Sequence, residues 1–184
     1  MKGLCENADL LFCIFTRKKT RGMAYSKEYM MRAIEIALHN VDNGGGPFGA
    51  VVVKDGEVIS ECGNRVTASN DPTAHAEVLA IREAARKLGK YDLSDCEIYA
   101  SCEPCPMCLG AIYWAHIGVV YYAGSSDDAK NAGFDDSYIY KELSVEPKYR
   151  SVKMLQADSQ EGLRVFKKWV DKDDRVENRC FRCD

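Results

Sequence analysis

Two short segments of this chain carry three residues of types that bind zinc and one carboxylate beside them. His75 lies two residues before Glu77, and Cys105 and Cys108 follow further along in Pro-Cys-Pro-Met-Cys. One imidazole and two thiolates suit Zn²⁺, and three protein ligands leave the fourth tetrahedral position open for water. A zinc ion lowers the pKa of such a water, and Glu77 is close enough to exchange protons with it. The spacing therefore predicts a catalytic site with one Zn²⁺ per subunit.

The local sequence also indicates how these side chains reach one metal ion. Cys105 and Cys108 are three residues apart and share a helix face, and Pro104 and Pro106 suit the start of that helix. A helix N-terminus favours thiolate over thiol. Residues two apart on a helix point in different directions, so we expect the metal to lie off the helix end, with His75 in an imperfect first turn. Cys-x-x-Cys alone is also typical of a structural zinc knuckle or a redox pair, but His-x-Glu upstream favours the catalytic interpretation.

Hydrophobic periodicity and turn residues predict an α/β fold that positions these segments. We predict strands at 50–54, 57–63, 96–100 and 119–123, and helices at 26–42, 74–88, 106–117 and from about 159. Ser26 and Thr73 are the predicted N-caps of the first two helices, and Asp55 and Gly56 form the predicted hairpin turn. Helices between the later strands predict a three-layer arrangement, with a mixed sheet flanked by helices.

Composition limits the class of protein and its location. The 184 residues are 46% hydrophobic and 29% charged, which is typical of one globular domain. The longest apolar run, 10–15, is too short for a membrane span and makes a poor signal peptide, so we expect no membrane partner. Nine cysteines are an odd number, and thiolate ligands suit a reducing compartment, so we expect a cytoplasmic protein.

The two ends of the chain differ from its middle. Residues 1–22 contain five Lys or Arg and two acidic residues, a net of +3, which leaves −6 for the rest of a chain whose net charge is −3. We predict a disordered or non-native extension at 1–22, a catalytic domain at 23–172 and a tail at 173–184. The basic run at 17–21 has an alternative interpretation as a patch for nucleic acid or membrane.

From about residue 23 to 172 the chain resembles the bacterial-type guanine deaminases of the cytidine deaminase superfamily, which share the His-x-Glu and Pro-Cys-x-x-Cys motifs of zinc-dependent base deaminases. The matching stretches are 45–50, 63–66, 70–77 and 101–114. The segment 133–137, Gly-Phe-Asp-Asp-Ser, narrows the family furthest, because the zinc motifs are common to deaminases of several bases. The resemblance implies a cytidine-deaminase-like fold with a five-stranded mixed sheet. It also implies a homodimer in which the C-terminal segment can be exchanged.

The resemblance also implies roles for individual residues. The zinc ligands are His75, Cys105 and Cys108, Glu77 is the proton shuttle, and Asp136 contacts the departing amino group or a ring nitrogen. Implied substrate contacts are Asn64 at the purine edge, Phe48 against the ring, Ala76, and Trp114 near the pocket of its own or the partner subunit. Family members close the pocket with a terminal aromatic residue, but here 171–180 contains none before Phe181. Pocket closure is therefore the point at which the chain departs from the family.

Most of the implied substrate contacts also have a structural explanation. An Asn after a strand is commonly a turn residue, which applies to Asn64. Phe48 can belong to the core, Trp114 to the core or an interface, and Asp135 and Asp136 can cap a following helix. The residue types alone leave these alternatives open.

Three functions remain open at this stage. The first is hydrolysis of guanine to xanthine and ammonia in purine catabolism or salvage, with guanosine as a variant that needs room for ribose. The second is deamination of adenosine in tRNA, which a sequence pI of about 5.7 and an acidic domain disfavour, because phosphates require a positive surface. The third is a zinc-stabilised binding protein, which the non-ligand Glu77 disfavours. We expect a small-molecule purine substrate and no nucleic-acid partner.

Overall fold

A sheet with helices on both faces forms the body of the protein, which is described here from a computed structural model covering residues 24–178. The elements in chain order are α1 (Lys27–Asp42), β1 (Gly49–Lys54), β2 (Glu57–Gly63), α2 (Val66–Ser69), α3 (Ala76–Leu88), β3 (Cys96–Cys102), α4 (Pro106–Trp114), β4 (Val119–Gly124), α5 (Ser126–Asn131), α6 (Ser137–Ser144), a 3₁₀ turn (Pro147–Tyr149) and α7 (Ser159–Val170). Across residues 24–178, no helix is both long and apolar enough to span a membrane. The predicted extension at 1–22 and the last residues of the predicted tail lie outside the described residues.

The sheet has the mixed topology that the sequence predicts. Its strand order is β2-β1-β3-β4, with β1 antiparallel to both neighbours and β3 parallel to β4 through the α4 crossover. Asp55 and Gly56 both have positive φ, as a two-residue hairpin turn requires. The α/β, cytidine-deaminase-like fold is thus confirmed.

The number of strands differs from the five that the family resemblance implies. The described residues form four strands, and β4 is an edge strand. The chain beyond β4 forms α5 and α6 instead of returning to the sheet, and every residue from 151 to 178 is exposed. Residues 24–178 therefore contain no fifth strand.

The central strand β1 separates two layers of the core. Ala50 and Val52 pack on the side of α3 and α4, whereas Val51 and Val53 pack on the side of α1. Burial of both faces explains why β1 is almost entirely apolar instead of alternating. Each fully buried valine contributes about 1.5–3 kcal/mol relative to an exposed one.

The N-cap of α3 differs from the predicted residue, and the predicted N-cap of α1 makes no capping bond through its side chain. α3 begins at Ala76 with His75 as its N-cap, and Thr73 is not the cap. The Thr73 hydroxyl instead donates to the Asp71 carboxylate at 2.7 Å. Ser26 does occupy the N-cap position of α1, but its side chain makes no capping hydrogen bond. Its backbone N–H donates to the Tyr99 hydroxyl at 3.1 Å.

The helix that carries the cysteines is shorter than predicted. α4 ends at Trp114 instead of residue 117, and His116 adopts a left-handed conformation with φ of 61° just beyond it. A residue in that conformation cannot continue a right-handed helix, which accounts for the early end. The strands β3 and β4 each extend one or two residues beyond their predicted ends.

Candidate active site

Two helix N-termini bring the predicted metal ligands together. His75 is the N-cap of α3, Cys105 is the N-cap of α4, and Cys108 lies in the first turn of α4. The Cys105 Sγ lies 3.5 Å from His75 Nδ1 and 3.5 Å from Cys108 Sγ, and the Cys108 Sγ lies 3.6 Å from His75 Nδ1. Tetrahedral bonds of about 2.3 Å to sulfur and about 2.0–2.1 Å to nitrogen separate the donor atoms by about 3.5–3.8 Å. The three donor atoms, which lie at the N-termini of two helices, therefore fit one tetrahedral zinc ion.

The electrostatic surroundings of the donor set favour a thiolate. The pKa of the Cys105 thiol lies well below its usual range, because contacts with the Cys108 sulfur and then with the His75 ring stabilise its thiolate. The same contact with Cys105 raises the pKa of His75, although burial opposes this. The unpaired N–H groups at the start of α4 add partial positive charge beside Cys105.

Glu77 lies next to the donor set without belonging to it. It is in the first turn of α3, and its side chain is only 6% exposed. Its Oε2 lies 3.4 Å from the Cys108 Sγ, which donates to it. Burial raises the pKa of this carboxyl group. A raised pKa makes a carboxyl group a better proton acceptor, which suits a group that exchanges protons with a bound water.

A cavity of about 430 Å³ opens above the donor set. This volume lies within the range of small-molecule sites, about 300–1,000 Å³. Six of the residues predicted from the sequence line it: Phe48, Asn64, His75, Glu77, Cys105 and Asp136. Cys108 is fully buried behind the cavity. The chain thus brings together segments that are far apart in sequence.

Asn64 forms part of the cavity wall and also a turn. It follows β2 directly and is only 8% exposed. Its Oδ1 accepts a hydrogen bond from the Val66 N–H at 3.1 Å, and its own N–H donates to the Phe48 carbonyl at 3.0 Å. Asn64 is therefore a turn residue and also lines the cavity. The hydrogen bond from the Val66 N–H orients its side-chain amide.

An aromatic pair forms another part of the wall. The rings of Phe48 and Phe134 meet edge to face, with centroids 5.0 Å apart and an interplanar angle of 85°. Such contacts stabilise by about 0.5–1.5 kcal/mol beyond area burial. Phe134 was missed as a site residue at the level of sequence. Its position two residues before Asp136 is the signal that could have identified it.

The two adjacent aspartates before α6 have different contacts. Asp135 accepts a hydrogen bond from the Ser137 N–H at 3.0 Å and pairs with Lys130, so it has the capping role. Asp136 occupies the N-cap position but makes no capping bond through its side chain. Burial, followed by the charge of Cys105, raises the pKa of Asp136. Its carboxyl group is therefore available to the cavity.

Glu103 is a second cavity residue that the sequence did not reveal. Its Oε2 accepts a hydrogen bond from the Ser126 N–H at the start of α5, at 3.0 Å. In addition, the Tyr140 hydroxyl of α6 donates to the Pro104 carbonyl at 3.2 Å. These two bonds attach the α5–α6 segment, which carries Phe134 and Asp136, to the segment that carries Cys105.

Two of the predicted substrate contacts do not line the cavity of this chain. Ala76 is fully buried as the first residue of α3. Trp114 lies at the end of α4 and is 53% exposed. Trp114 is therefore accessible to a second copy of the chain.

A mixed sheet with a His-Cys-Cys donor set at two helix N-termini, and a buried glutamate beside it, defines a zinc-dependent deaminase. Residues 23–124 match the cytidine and deoxycytidylate deaminase zinc-binding region, and the chain belongs to that family.

Individual relatives narrow the similarity. The chain is 55% identical to the guanine deaminase of Bacillus subtilis (strain 168) over 142 residues, which cover 77% of this chain and 91% of the relative. The X-ray structure of a Bacillus subtilis guanine deaminase superposes with a TM-score of 0.82 at 50% identity, covering 85% of this chain and all of the other. A tRNA-specific adenosine deaminase of Aquifex aeolicus is 44% identical over 108 residues, covering 58% of this chain and 70% of the relative. The similarity to the guanine deaminase therefore covers a larger share of both chains than the similarity to the tRNA-specific adenosine deaminase does.

Proposed function

We propose that this protein is a zinc-dependent guanine deaminase, which converts guanine and water to xanthine and ammonia. The observation that carries this proposal is the 55% identity to a guanine deaminase across nearly the whole of that relative. The cavity supports it, because one side is formed by the zinc donor set and the other by amide, carboxyl and aromatic side chains. These are groups that can bind a planar, polar base.

His75, Cys105 and Cys108 would hold one zinc ion per chain, since their donor atoms have tetrahedral spacing. When bound, zinc supplies Lewis acidity that lowers the pKa of water toward neutrality. The protein contributes a donor set that is preorganised at two helix N-termini, and a buried surrounding in which charges interact more strongly than in water.

Glu77 is the proposed proton carrier. It takes a proton from the water that attacks C2 of guanine and delivers it to a ring nitrogen. It then takes the second proton from the hydroxyl group on C2 and delivers it to the amino group that leaves. Its burial beside the donor set gives a raised pKa, which suits a group that must accept and release protons in one cycle. As the C2–O bond forms and the C2–N bond breaks, the amino group departs as ammonia.

Asn64 and Asp136 are the proposed recognition groups for guanine. The Asn64 amide can hydrogen-bond to the O6 and N7 region of the purine edge. The Asp136 carboxylate can accept a hydrogen bond from the exocyclic amine and exchange protons with it as it leaves. Phe48 and its edge-to-face partner Phe134 would contact the base. A site with such buried polar groups rejects bases that leave them unpaired.

The two remaining substrate contacts act differently. We propose that Ala76 contributes through its backbone, because its side chain is fully buried and the first N–H groups of a helix have no partner within it. We propose that Trp114 contacts the cavity of a second copy, because it is exposed and does not line the cavity of its own chain.

We also propose a homodimer with exchanged C-terminal segments, because the C-terminal segment leaves apolar side chains exposed. Helix α7 has an apolar stripe at Leu163, Phe166 and Val170, and all three side chains are more than half exposed. β4 is an edge strand, and every residue from 151 to 178 is exposed. Apolar surface of this extent is typical of a protein interface. A second copy that receives this segment would bury it and would extend the sheet at β4.

We further propose that the catalytic domain spans 23–172, with an extension at 1–22 and a tail at 173–184. The match to the family begins at residue 23, which supports the first boundary. A cytoplasmic enzyme of guanine catabolism is the corresponding cellular role, since thiolate ligands are stable in a reducing compartment.

Ammonia release from a panel of substrates tests the proposed activity. The full chain, loaded with zinc, is incubated with guanine, guanosine, adenine, cytosine and a tRNA anticodon stem-loop. We expect kcat/KM for guanine to exceed that for adenine and cytosine by several orders of magnitude. Similar values for guanine and cytosine, or release from the stem-loop alone, would contradict the proposal. The guanosine arm shows whether the cavity accepts a ribose.

A further inference from the structure

The side-chain amide of Asn40 joins the two loops that form the recognition wall. Asn40 lies in the last turn of α1, half-buried, and does not line the cavity. Its Nδ2 donates to the Gly46 carbonyl at 2.7 Å and to the Asn64 carbonyl at 2.8 Å. An amide nitrogen carries two protons, so both bonds form at once. One side chain thus connects the loop at 44–48 to the loop at 63–66.

The backbone of Asn40 holds the first loop at another point. Its carbonyl accepts a hydrogen bond from the Gly45 N–H at 2.8 Å. Within the wall, the Phe48 N–H donates to the Gly46 carbonyl at 2.8 Å, and the Asn64 N–H donates to the Phe48 carbonyl at 3.0 Å. Phe48 and Asn64 are therefore bonded to each other, and the loops that carry them are both bonded to Asn40.

Two glycines leave room for the Asn40 side chain. A Cβ atom added at Gly45 would overlap the Asn40 amide, and one added at Gly63 would come within 3.0 Å of its amide carbon. Ordinary carbon contacts are about 3.5–4.0 Å. Both loops therefore approach the amide more closely than any residue with a side chain would allow. The close packing leaves this amide a single orientation, in which it bonds both carbonyls.

We propose that Asn40 is a positioning residue for purine recognition, acting through Asn64 and Phe48. The Asn64 main chain is held by Asn40, and its Oδ1 is held by the Val66 N–H, which together set the direction of its side-chain amide at the cavity wall. The side-chain bonds of Asn40 go to these loops and not to the segments that carry the zinc donors. The inference rests on the proposed guanine deaminase function and assigns its substrate specificity in part to a residue outside the cavity.

Kinetics of two variants test this role. Asn40→Ala removes both donors, and Asn40→Asp keeps the shape while facing two carbonyl oxygens with a carboxylate. A hydrogen bond to the purine edge acts on bound substrate and transition state alike, so its loss raises KM more than it lowers kcat. We expect KM for guanine to rise about tenfold or more, and kcat to change by less than about threefold, since misplacement by about 1 Å has effects of this order. Zinc content should not change.

Asn43→Ala is the matched control. The Asn43 side chain belongs to the same end of α1, but its Nδ2 donates to the His39 carbonyl at 2.7 Å on the exposed surface. We expect wild-type KM and kcat for this variant. Amide hydrogen exchange gives a readout independent of turnover: in Asn40→Ala, the Gly45, Phe48 and Asn64 amides should exchange faster, while the first turns of α3 and α4 should not.

The possible outcomes separate this inference from the proposed function. If the wild type deaminates guanine and Asn40→Ala retains its KM, the inference is wrong and the function stands. A loss of zinc, or an equal fall in kcat with every substrate and no change in KM, would show that Asn40 is purely structural. Either result would also overturn the inference. If the wild type does not deaminate guanine, the proposed function is wrong, and unchanged exchange at 45–48 and 64 would overturn the positioning role as well.

Discussion

The zinc donor set and the recognition wall adjoin one cavity but are built in different ways. The donor set comes from two compact motifs, each at the N-terminus of a helix that packs on the sheet. The wall comes from loops at 44–48 and 63–66 and from the α5–α6 segment. Its parts are connected by hydrogen bonds over long sequence distances, such as those from Asn40 and Glu103.

In the proposed enzyme, the donor set and Glu77 serve the reaction, whereas the wall serves substrate specificity. Glu77 and Cys108 are buried, and the whole donor set depends on helix geometry, so related deaminases of different bases can share these groups. The wall depends on loops that tolerate change, and part of the surface beyond it is exposed in a single chain. We therefore expect changes at the donor set to abolish activity on every substrate, whereas changes at the wall should alter which substrate is used and how well.

Loss of the metal should have the largest effect. Removal of zinc by a chelator should abolish turnover of all substrates, because the donor set is common to all of them. Cys105→Ala or Cys108→Ala should lower bound zinc, measured by atomic absorption, since each removes one thiolate of three. As a control, Cys96→Ala removes a buried cysteine at the start of β3, the end of the strand away from Cys105, and should leave zinc content unchanged. Full zinc occupancy in a triple variant that also replaces His75 would refute the assignment.

Glu77→Gln should have the next largest effect. The amide keeps the size of the side chain but cannot carry protons, and general acid–base catalysis contributes about 10²–10⁴ in rate. We expect kcat to fall at least about 10²-fold with unchanged zinc content. Glu83→Gln is a control on the same helix, where the carboxylate pairs with Arg86 at the surface. An active Glu77→Gln variant would contradict the proposed proton transfer.

The same division explains what the sequence predicts. The zinc donors follow from residue types and local spacing, and the strands of the sheet follow from alternation and turn residues. Thr73 was a wrong prediction for the cap of α3, because the nearby Asp71 binds its hydroxyl. Phe134 and Glu103 were missed because their roles depend on contacts with Phe48 and α5, which no local pattern encodes. The family resemblance implies a five-stranded sheet, whereas residues 24–178 form four strands.

Asp136→Asn tests the wall directly. The amide keeps the shape and one acceptor oxygen, but it loses the negative charge and cannot exchange protons with the leaving group. We expect a fall in kcat of about 10- to 10²-fold, larger than the rise in KM, measured by ammonia release from guanine. Asp135→Asn is the adjacent control, because that carboxylate caps α6 and pairs with Lys130. Equal effects of the two variants would indicate that both aspartates are only structural.

A change on α7 tests whether the exposed C-terminal segment completes the enzyme. Phe166→Asp places a charge in the middle of the apolar stripe, where a partner would bury it. We expect the mass measured by light scattering to fall to that of a monomer, with a smaller loss of activity than at Asp136. Arg164→Ala, on the polar side of the helix beside Glu161, should remain dimeric. A wild-type chain that is already monomeric would contradict the proposed exchange.

Removal of residues 1–22 should have the smallest effect. The family match begins at residue 23 and the first helix begins at Lys27, so the zinc donors and the wall all lie within the remaining chain. We expect zinc content and kcat/KM for guanine to stay within about twofold of the full chain, and the melting temperature to change little, because the family match does not include this segment. A large loss of guanine turnover would place the segment at the active site. A loss limited to binding of the tRNA stem-loop would instead show that the basic run at 17–21 binds phosphates, and would favour an RNA substrate.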